Sequence, residues 1–359
     1  MKFRILQALR AIASLMVVAD HLPRVEAKIF PSGLLAGFGA AGALGVDLFF
    51  VVSGFIMVVT TRDAFGSPTS AWTFLERRIL RIYPAYWLAF GAFVLAGVAI
   101  PTIEHTGAIT PWTLIASFLL VPHAPGPLMF VAWSLQFEIY FYLVFAFALC
   151  FARSHLRAIV AAWIALTLLG NAAMLFTSNT LLKLVGNPLT FEFIAGIGIG
   201  VLVLERRRLA PHAMLICGFA WLAIVAIYSS RFDGFATHSL EWFRVVAATP
   251  AAAAIVYGAA QLEERYGASV PAAFVRLGDA SYTTYLWHGM ILGAYTVAMS
   301  KLHLHGSLAD AAFLAGGLAT VIVASQLIYG AIEAPLLRRF RGAGAGAPHR
   351  RLEGARTGT

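Results

Sequence analysis

Apolar runs of membrane-spanning length recur along the chain from Ile5 to Ile332, separated by short segments where Arg, Gly and Pro collect. A helix rising about 1.5 Å per residue needs roughly 20 apolar residues to cross a hydrocarbon core about 30 Å thick. On that measure the pattern predicts ten spans, at residues 5–22, 42–60, 82–100, 131–151, 157–176, 188–204, 212–229, 243–260, 281–300 and 309–332. The stretch 112–121, bracketed by Pro111 and Pro122, is too short to cross and is expected to be interfacial or re-entrant. The first run does not read as a cleavable signal. Arg10, Asp20 and His21 interrupt it, and Leu22 and Pro23 stand where small residues would be needed.

Composition turns this pattern into a fold class. Sixty per cent of the 359 residues are apolar and 12% are charged, with a mean hydropathy of +0.80, a balance that excludes a water-soluble domain of this size. The expectation is an all-α, polytopic membrane protein. Residues 1–340 form its membrane domain, and a Gly-, Ala- and Arg-rich tail, 341–359, is expected to be disordered and cytosolic. The two cysteines, Cys150 and Cys217, have no neighbours at metal-ligand spacing and read as packing residues, so no metal site is expected.

The net charge of +9 raises nucleic acid as a partner, but the basic residues lie in short inter-span loops and form no separate basic domain. They are topology signals instead. With the N-terminus in the cytoplasm, 20 of the 26 Lys and Arg residues fall in cytoplasmic segments, and the long outer loop 101–130 has none. The positive-inside rule thus predicts that both termini are cytoplasmic.

Ionisable side chains inside a bilayer cost about 2.5 to 3.5 kcal/mol each on insertion scales and call for an explanation. In the first span Gln7, Arg10, Ser14 and His21 are spaced 3, 4 and 7 residues apart, which places them on one polar stripe of an otherwise apolar helix. Asp20 lies about 100° away from His21 and is not its obvious partner. Arg10 and His21 are separated by about 16 Å of rise, too far for a salt bridge but suited to the two ends of an elongated ligand. The structural alternative is that Arg10 snorkels to the cytoplasmic surface while His21 sits among the outer headgroups.

Topology sorts the other polar residues by depth. Asp47 falls near the outer end of the second span, and Trp133 and Glu138 fall in the outer half of the fourth, at the level expected for His21. A histidine is the usual general base for an alcohol, and a carboxylate beside it fixes its tautomer. Asp47 suits that role or a structural one as a helix cap. On the cytoplasmic side Arg77, Arg78 and Arg81 open the third span, where guanidinium groups three or four residues apart can converge on a phosphate. For Arg77 plain positive-inside anchoring is the better reading. Ser281, Tyr282, Tyr285 and His288 line one face of the ninth span, as ligand contacts or as interhelical hydrogen bonders.

These stretches resemble the acyltransferase type 3 family of integral membrane proteins, which includes O-antigen and exopolysaccharide O-acetylases. The matching residues are Arg10 and His21 with ten residues between them, GVDLFFVVSGF at 45–55, RRILRIYPAYW at 77–87, WSLQFEIYFY at 133–142, SYTTYLWH at 281–288, and Glu333 and Pro335 followed by Arg338. The opening RILQALRAIA is most similar to the exopolysaccharide-production branch. The resemblance implies that His21 is the catalytic histidine, with Glu138 and Asp47 at the active site. It also implies donor-handling roles for Arg78 and Arg81, and makes Arg10 the basic member of the histidine's motif. Ser14, Tyr285 and His288 complete the expected donor-binding set.

The implied reaction is transfer of an acetyl (acyl) group from cytoplasmic acetyl-CoA, a co-substrate and not a resident cofactor, to a hydroxyl of a polysaccharide or lipid-linked sugar, with His21 as general base or transient acyl carrier. The setting is the bacterial inner membrane, with the polysaccharide-biosynthesis machinery as a further partner. No esterase-like domain of the kind fused to some relatives is expected in this sequence, which favours direct transfer. A transporter or flippase of a lipid-linked sugar would also need intramembrane charges, but it predicts broken helices in paired halves, which are not evident.

Overall fold

The computed structural model describes residues 3–35, 41–99, 106–207, 209–230 and 238–344, and among these there is no strand. The helices, in chain order, begin with α1 (Arg4–Glu26), α2 (Leu44–Thr60), α3 (Pro68–Ala99), α4 (Pro111–Phe118) and α5 (Trp133–Leu149). They continue with α6 (Leu156–Ala173), α7 (Thr180–Val185), α8 (Thr190–Leu204), α9 (Pro211–Ser230) and α10 (His238–Tyr266). The last are α11 (Ala272–Asp279), α12 (Ser281–Ser300), α13 (Ser307–Ile328) and α14 (Ala334–Gly344), with a π-helical turn, Tyr329–Glu333, joining α13 to α14.

Eight segments are long and apolar enough to cross a membrane. The helix Leu44–Thr60 is apolar but has only 17 residues, and Ser281–Ser300 carries hydroxyl groups and a histidine. Together these correspond to the ten expected spans, so the count of ten is approximate and depends on how the last two are scored. Helix α3 begins 14 residues before the expected start at Ile82, with Pro68 at its first position. Hydropathy selects only the part of a helix that faces lipid. The earlier turns, carrying Glu76, Arg77 and Arg78, continue the same hydrogen-bond ladder outside that window. Helix α14 runs four residues into the expected tail, whose remainder, 345–359, lies outside the described residues.

Helix α1 is enclosed, packing against α2, α10, α11, α12 and α13. That explains how its polar stripe escapes lipid. Helices α2 and α8 approach most closely where glycine meets glycine. A Cβ on Gly54 would lie 2.2 Å from the Phe193 carbonyl oxygen, and one on Gly196 would lie 2.1 Å from that of Val51. The small-residue run on α8 therefore serves a contact within the chain.

The short α4 docks against the middle of α3. Thr110 caps its start, accepting from the Thr113 amide, and Pro111 follows at the first helical position. At its far end the carbonyls of Ser117, Phe118 and Leu119 accept from Tyr86 (2.6 Å), Trp87 (3.0 Å) and Tyr83 (2.9 Å) of α3. Backbone that leaves helical geometry inside a membrane needs such partners. Elsewhere large apolar side chains stand uncovered, among them Leu169 on α6, Ile216 and Ile224 on α9, and Leu327 on α13. Exposed apolar surface on this scale is covered by lipid.

Candidate active site

A cavity of about 200 Å³ lies between α1, α2, α3, α5 and α12. Phe3, Ile56 and Thr60 are among its lining residues, and its walls carry Arg10, Arg78, Arg81, Glu138, Tyr142 and Ser281. Arg78 and Arg81, three residues apart, present one face of α3 to the cavity, while Arg77 is exposed and does not line it. The Arg10 Nε donates to Ser281 Oγ at 3.2 Å. The Arg78 guanidinium stacks over the rings of Phe74 (5.2 Å) and Tyr142 (5.4 Å).

Two carboxylates lie within electrostatic reach of these three cations. Glu138 accepts from the Tyr142 hydroxyl, and Glu333, on the π-helical turn, accepts from the Thr283 hydroxyl. None of the three guanidinium groups forms an ion pair within 4 Å among the described residues. Three cations facing two anions leave a positive site inside an apolar protein, and its natural guest is an anion with several oxygens.

At the cavity wall, the Tyr285 hydroxyl ties α12 to Ser134 Oγ of α5 (2.6 Å) and to the Val131 carbonyl just before it (2.8 Å). One turn further along α12, His288 meets His21 of α1 with ring centroids 4.7 Å apart, edge to face. The two helices run in the same direction, since Arg10 meets Ser281 at one end and His21 meets His288 at the other. His21 Nδ1 bonds to the Val17 carbonyl (2.9 Å), and His288 Nδ1 bonds to that of Tyr285 (2.7 Å). A carbonyl can only accept, so each neutral ring carries its proton on Nδ1 and keeps Nε2 as a bare base. Both Nε2 atoms are buried and have no hydrogen-bond partner among the described residues.

Comparison with known proteins fits this arrangement. Residues 3–330 match the family described as acyltransferase domain. The chain belongs to the acyltransferase type 3 family. It is similar to exopolysaccharide production protein ExoZ of Rhizobium meliloti, 31% identical over 84% of this chain and 91% of the relative. A putative peptidoglycan O-acetyltransferase of Bacillus subtilis, YrhL, is 26% identical over 79% of this chain and 47% of the relative. A putative membrane-bound transacylase of Komagataeibacter xylinus, BcsY, is 26% identical over 95% of this chain and 86% of the relative. No solved structure matches the chain.

In this acyltransferase the expected site residues divide into three groups. Arg10, Arg78, Arg81, Glu138 and Tyr285 line the cavity, and His21 pairs with His288 beyond it. The structure does not bring Glu138 to His21. Glu138 lies eight residues along the chain from Phe130, whose ring is 6.4 Å from that of His21, and it sits instead with the arginines. Asp20 and Arg24, linked to each other at 3.9 Å, are the charged groups nearest His21. Asp47 also stands apart. It makes no cap bond and takes a two-oxygen hydrogen bond from Arg244 Nε (2.9 and 3.0 Å), with Glu192 beside it. All three side chains are buried, so Asp47 ties α2 to α10 and does not line the cavity. Ser14 turns its hydroxyl back on the Ala11 carbonyl and does not line the cavity. Sequence reasoning missed the roles of Glu333, Glu192 and Arg244, although each stands in an apolar helical context that marks it as unusual.

Proposed function

We propose that the protein transfers an acetyl (acyl) group from acyl-CoA, bound from the cytoplasm, to a hydroxyl of an exported or cell-surface polysaccharide. We place it in the bacterial inner membrane with both termini cytoplasmic. The observation that carries this reading is the cavity whose three guanidinium groups form no ion pair among the described residues, with a bare histidine base beyond its far end. The phosphates of coenzyme A are assigned to Arg10, Arg78 and Arg81, with the thioester extended past Tyr285 towards His21. There the acceptor O–H gives its proton to His21 Nε2 as oxygen attacks the thioester carbon. The C–S bond then breaks, and the imidazolium returns the proton to the leaving sulfur. Membership of the family supports the acyl chemistry, and the name of the ExoZ relative supports a polysaccharide acceptor.

The test is titration of purified protein with coenzyme A, followed by turnover with radiolabelled acetyl-CoA. Each of Arg78→Gln and Arg81→Gln is expected to remove a charge-assisted contact worth about 1.5 to 3 kcal/mol, or roughly 10- to 150-fold in affinity. His21→Ala should bind coenzyme A normally and lose transfer by roughly 100-fold or more. Unchanged affinity in the double arginine variant would end the donor-site assignment.

A further inference from the structure

The paired histidines hold one more acceptor than a single reacting hydroxyl can satisfy. Both Nδ1 hydrogens are committed to backbone carbonyls, of Val17 and of Tyr285, so both Nε2 atoms are acceptors only. Neither can satisfy the other, because two acceptors share no hydrogen. Both are buried and unpartnered with their rings 4.7 Å apart, and no described carboxylate or hydroxyl bonds to either. A ligand with one hydroxyl would satisfy one Nε2 and strand the other in an apolar place. A ligand with two adjacent hydroxyls would satisfy both. Beside the pair stands Phe130, with half its surface exposed and the Arg24 guanidinium 6.0 Å above its ring. A ring of this kind covers the apolar face of a sugar.

We infer that His288 is a specificity-determining residue of the acceptor site. His21 receives the proton of the reacting hydroxyl, while His288 Nε2 accepts a hydrogen bond from the neighbouring hydroxyl, so that the acceptor is a sugar bearing a vicinal diol. The inference rests on the reading of His21 as the base. Of the acceptor's two O–H bonds only the one at the attacking oxygen breaks, as the new C–O bond forms and the thioester C–S bond breaks. The second hydroxyl keeps its hydrogen, and His288 remains neutral.

The experiment uses the purified full-length protein with acetyl-CoA and one of two small alcohols at molar concentration, 1,2-ethanediol or 2-methoxyethanol, which differ in the second hydrogen. Ester formation is measured for wild type, His288→Phe, His288→Gln and His21→Ala, alongside coenzyme A affinity. Wild type is expected to favour the diol by roughly 5- to 150-fold, the range set by stranding one buried acceptor. His288→Phe, which keeps the ring volume without the acceptor, should lose that preference and still acylate 2-methoxyethanol. His288→Gln, whose amide oxygen can accept, should retain part of the preference. A pure packing role predicts the opposite order, with Phe nearer to wild type than Gln. Equal rates on the two alcohols in wild type, no ester from the diol, or a preference that survives in His288→Phe would each overturn the inference. Full activity in His21→Ala would instead overturn the function proposed above.

Discussion

Replacing Arg244 tests whether the buried charges between α2, α8 and α10 are a structural anchor or part of the reaction. Its guanidinium gives two contacts to Asp47 at 2.9 and 3.0 Å and a third to the Ala43 carbonyl at 2.8 Å. Glu192, fully buried, lies close by and faces both Asp47 and the guanidinium. One cation thus holds two carboxyl groups. Removing it in Arg244→Ala strands both, and breaking a buried pair in this way costs about 3 to 5 kcal/mol, a factor of roughly 150 to 5,000 in the folded-to-unfolded ratio. Asp47→Asn should cost clearly less, because Glu192 remains to face the guanidinium and the amide keeps the shape of the site. The combination Asp47→Asn with Arg244→Met, which removes the cation along with one acid, should recover part of the Arg244→Ala loss. The assay is reversible unfolding in mixed micelles, with acyl transfer measured per folded molecule. The anchor reading requires Asp47→Asn to transfer at close to the wild-type rate once folded. A well-folded Asp47→Asn protein that has lost transfer by 100-fold, or an Arg244→Ala protein of unchanged stability, would refute the reasoning.

Three further outcomes follow from the packing. Gly54→Val and Gly196→Val should prevent stable folding, since even a Cβ would approach a backbone carbonyl to 2.2 or 2.1 Å, whereas Gly198→Ala, with nothing within 4 Å, should be neutral or stabilising in the same unfolding assay. Tyr86→Phe should cost about 0.5 to 1.5 kcal/mol by removing one of the hydrogen bonds that the Ser117 carbonyl accepts where α4 docks, and unchanged stability would show that the Leu120 amide alone satisfies it. In a background with Cys150 and Cys217 replaced, a cysteine at the exposed Ala108 should react with an impermeant thiol reagent from outside intact cells and one at the exposed Asp63 should not; the reverse pattern would invert the proposed orientation.

The sequence carried the helices and their inward faces because both are properties of one helix at a time. The 3, 4 and 7 spacing of Gln7, Arg10, Ser14 and His21 shows that one side of α1 faces protein, and the three-residue step from Arg78 to Arg81 separates this pair from the exposed Arg77. Partnerships between helices depend on relative depth, which topology fixes only to within half a span. Glu138 and His21 both fall in the outer half by that measure, yet five residues from the start of α5 already amount to about 7.5 Å, more than any hydrogen bond spans. The error moved Glu138 from the arginines to the histidine and hid His288 as the ring that His21 meets. Arg244 shows the same limit from the other side. By position Arg244 stands at the outer edge of the expected span 243–260, where a basic residue counts as a topology marker, but in α10 it is buried against Asp47 and says nothing about loops. A lone charge near a span boundary is therefore ambiguous by itself, and what resolves it is a buried counter-charge such as Asp47, placed by the fold almost two hundred residues away in sequence.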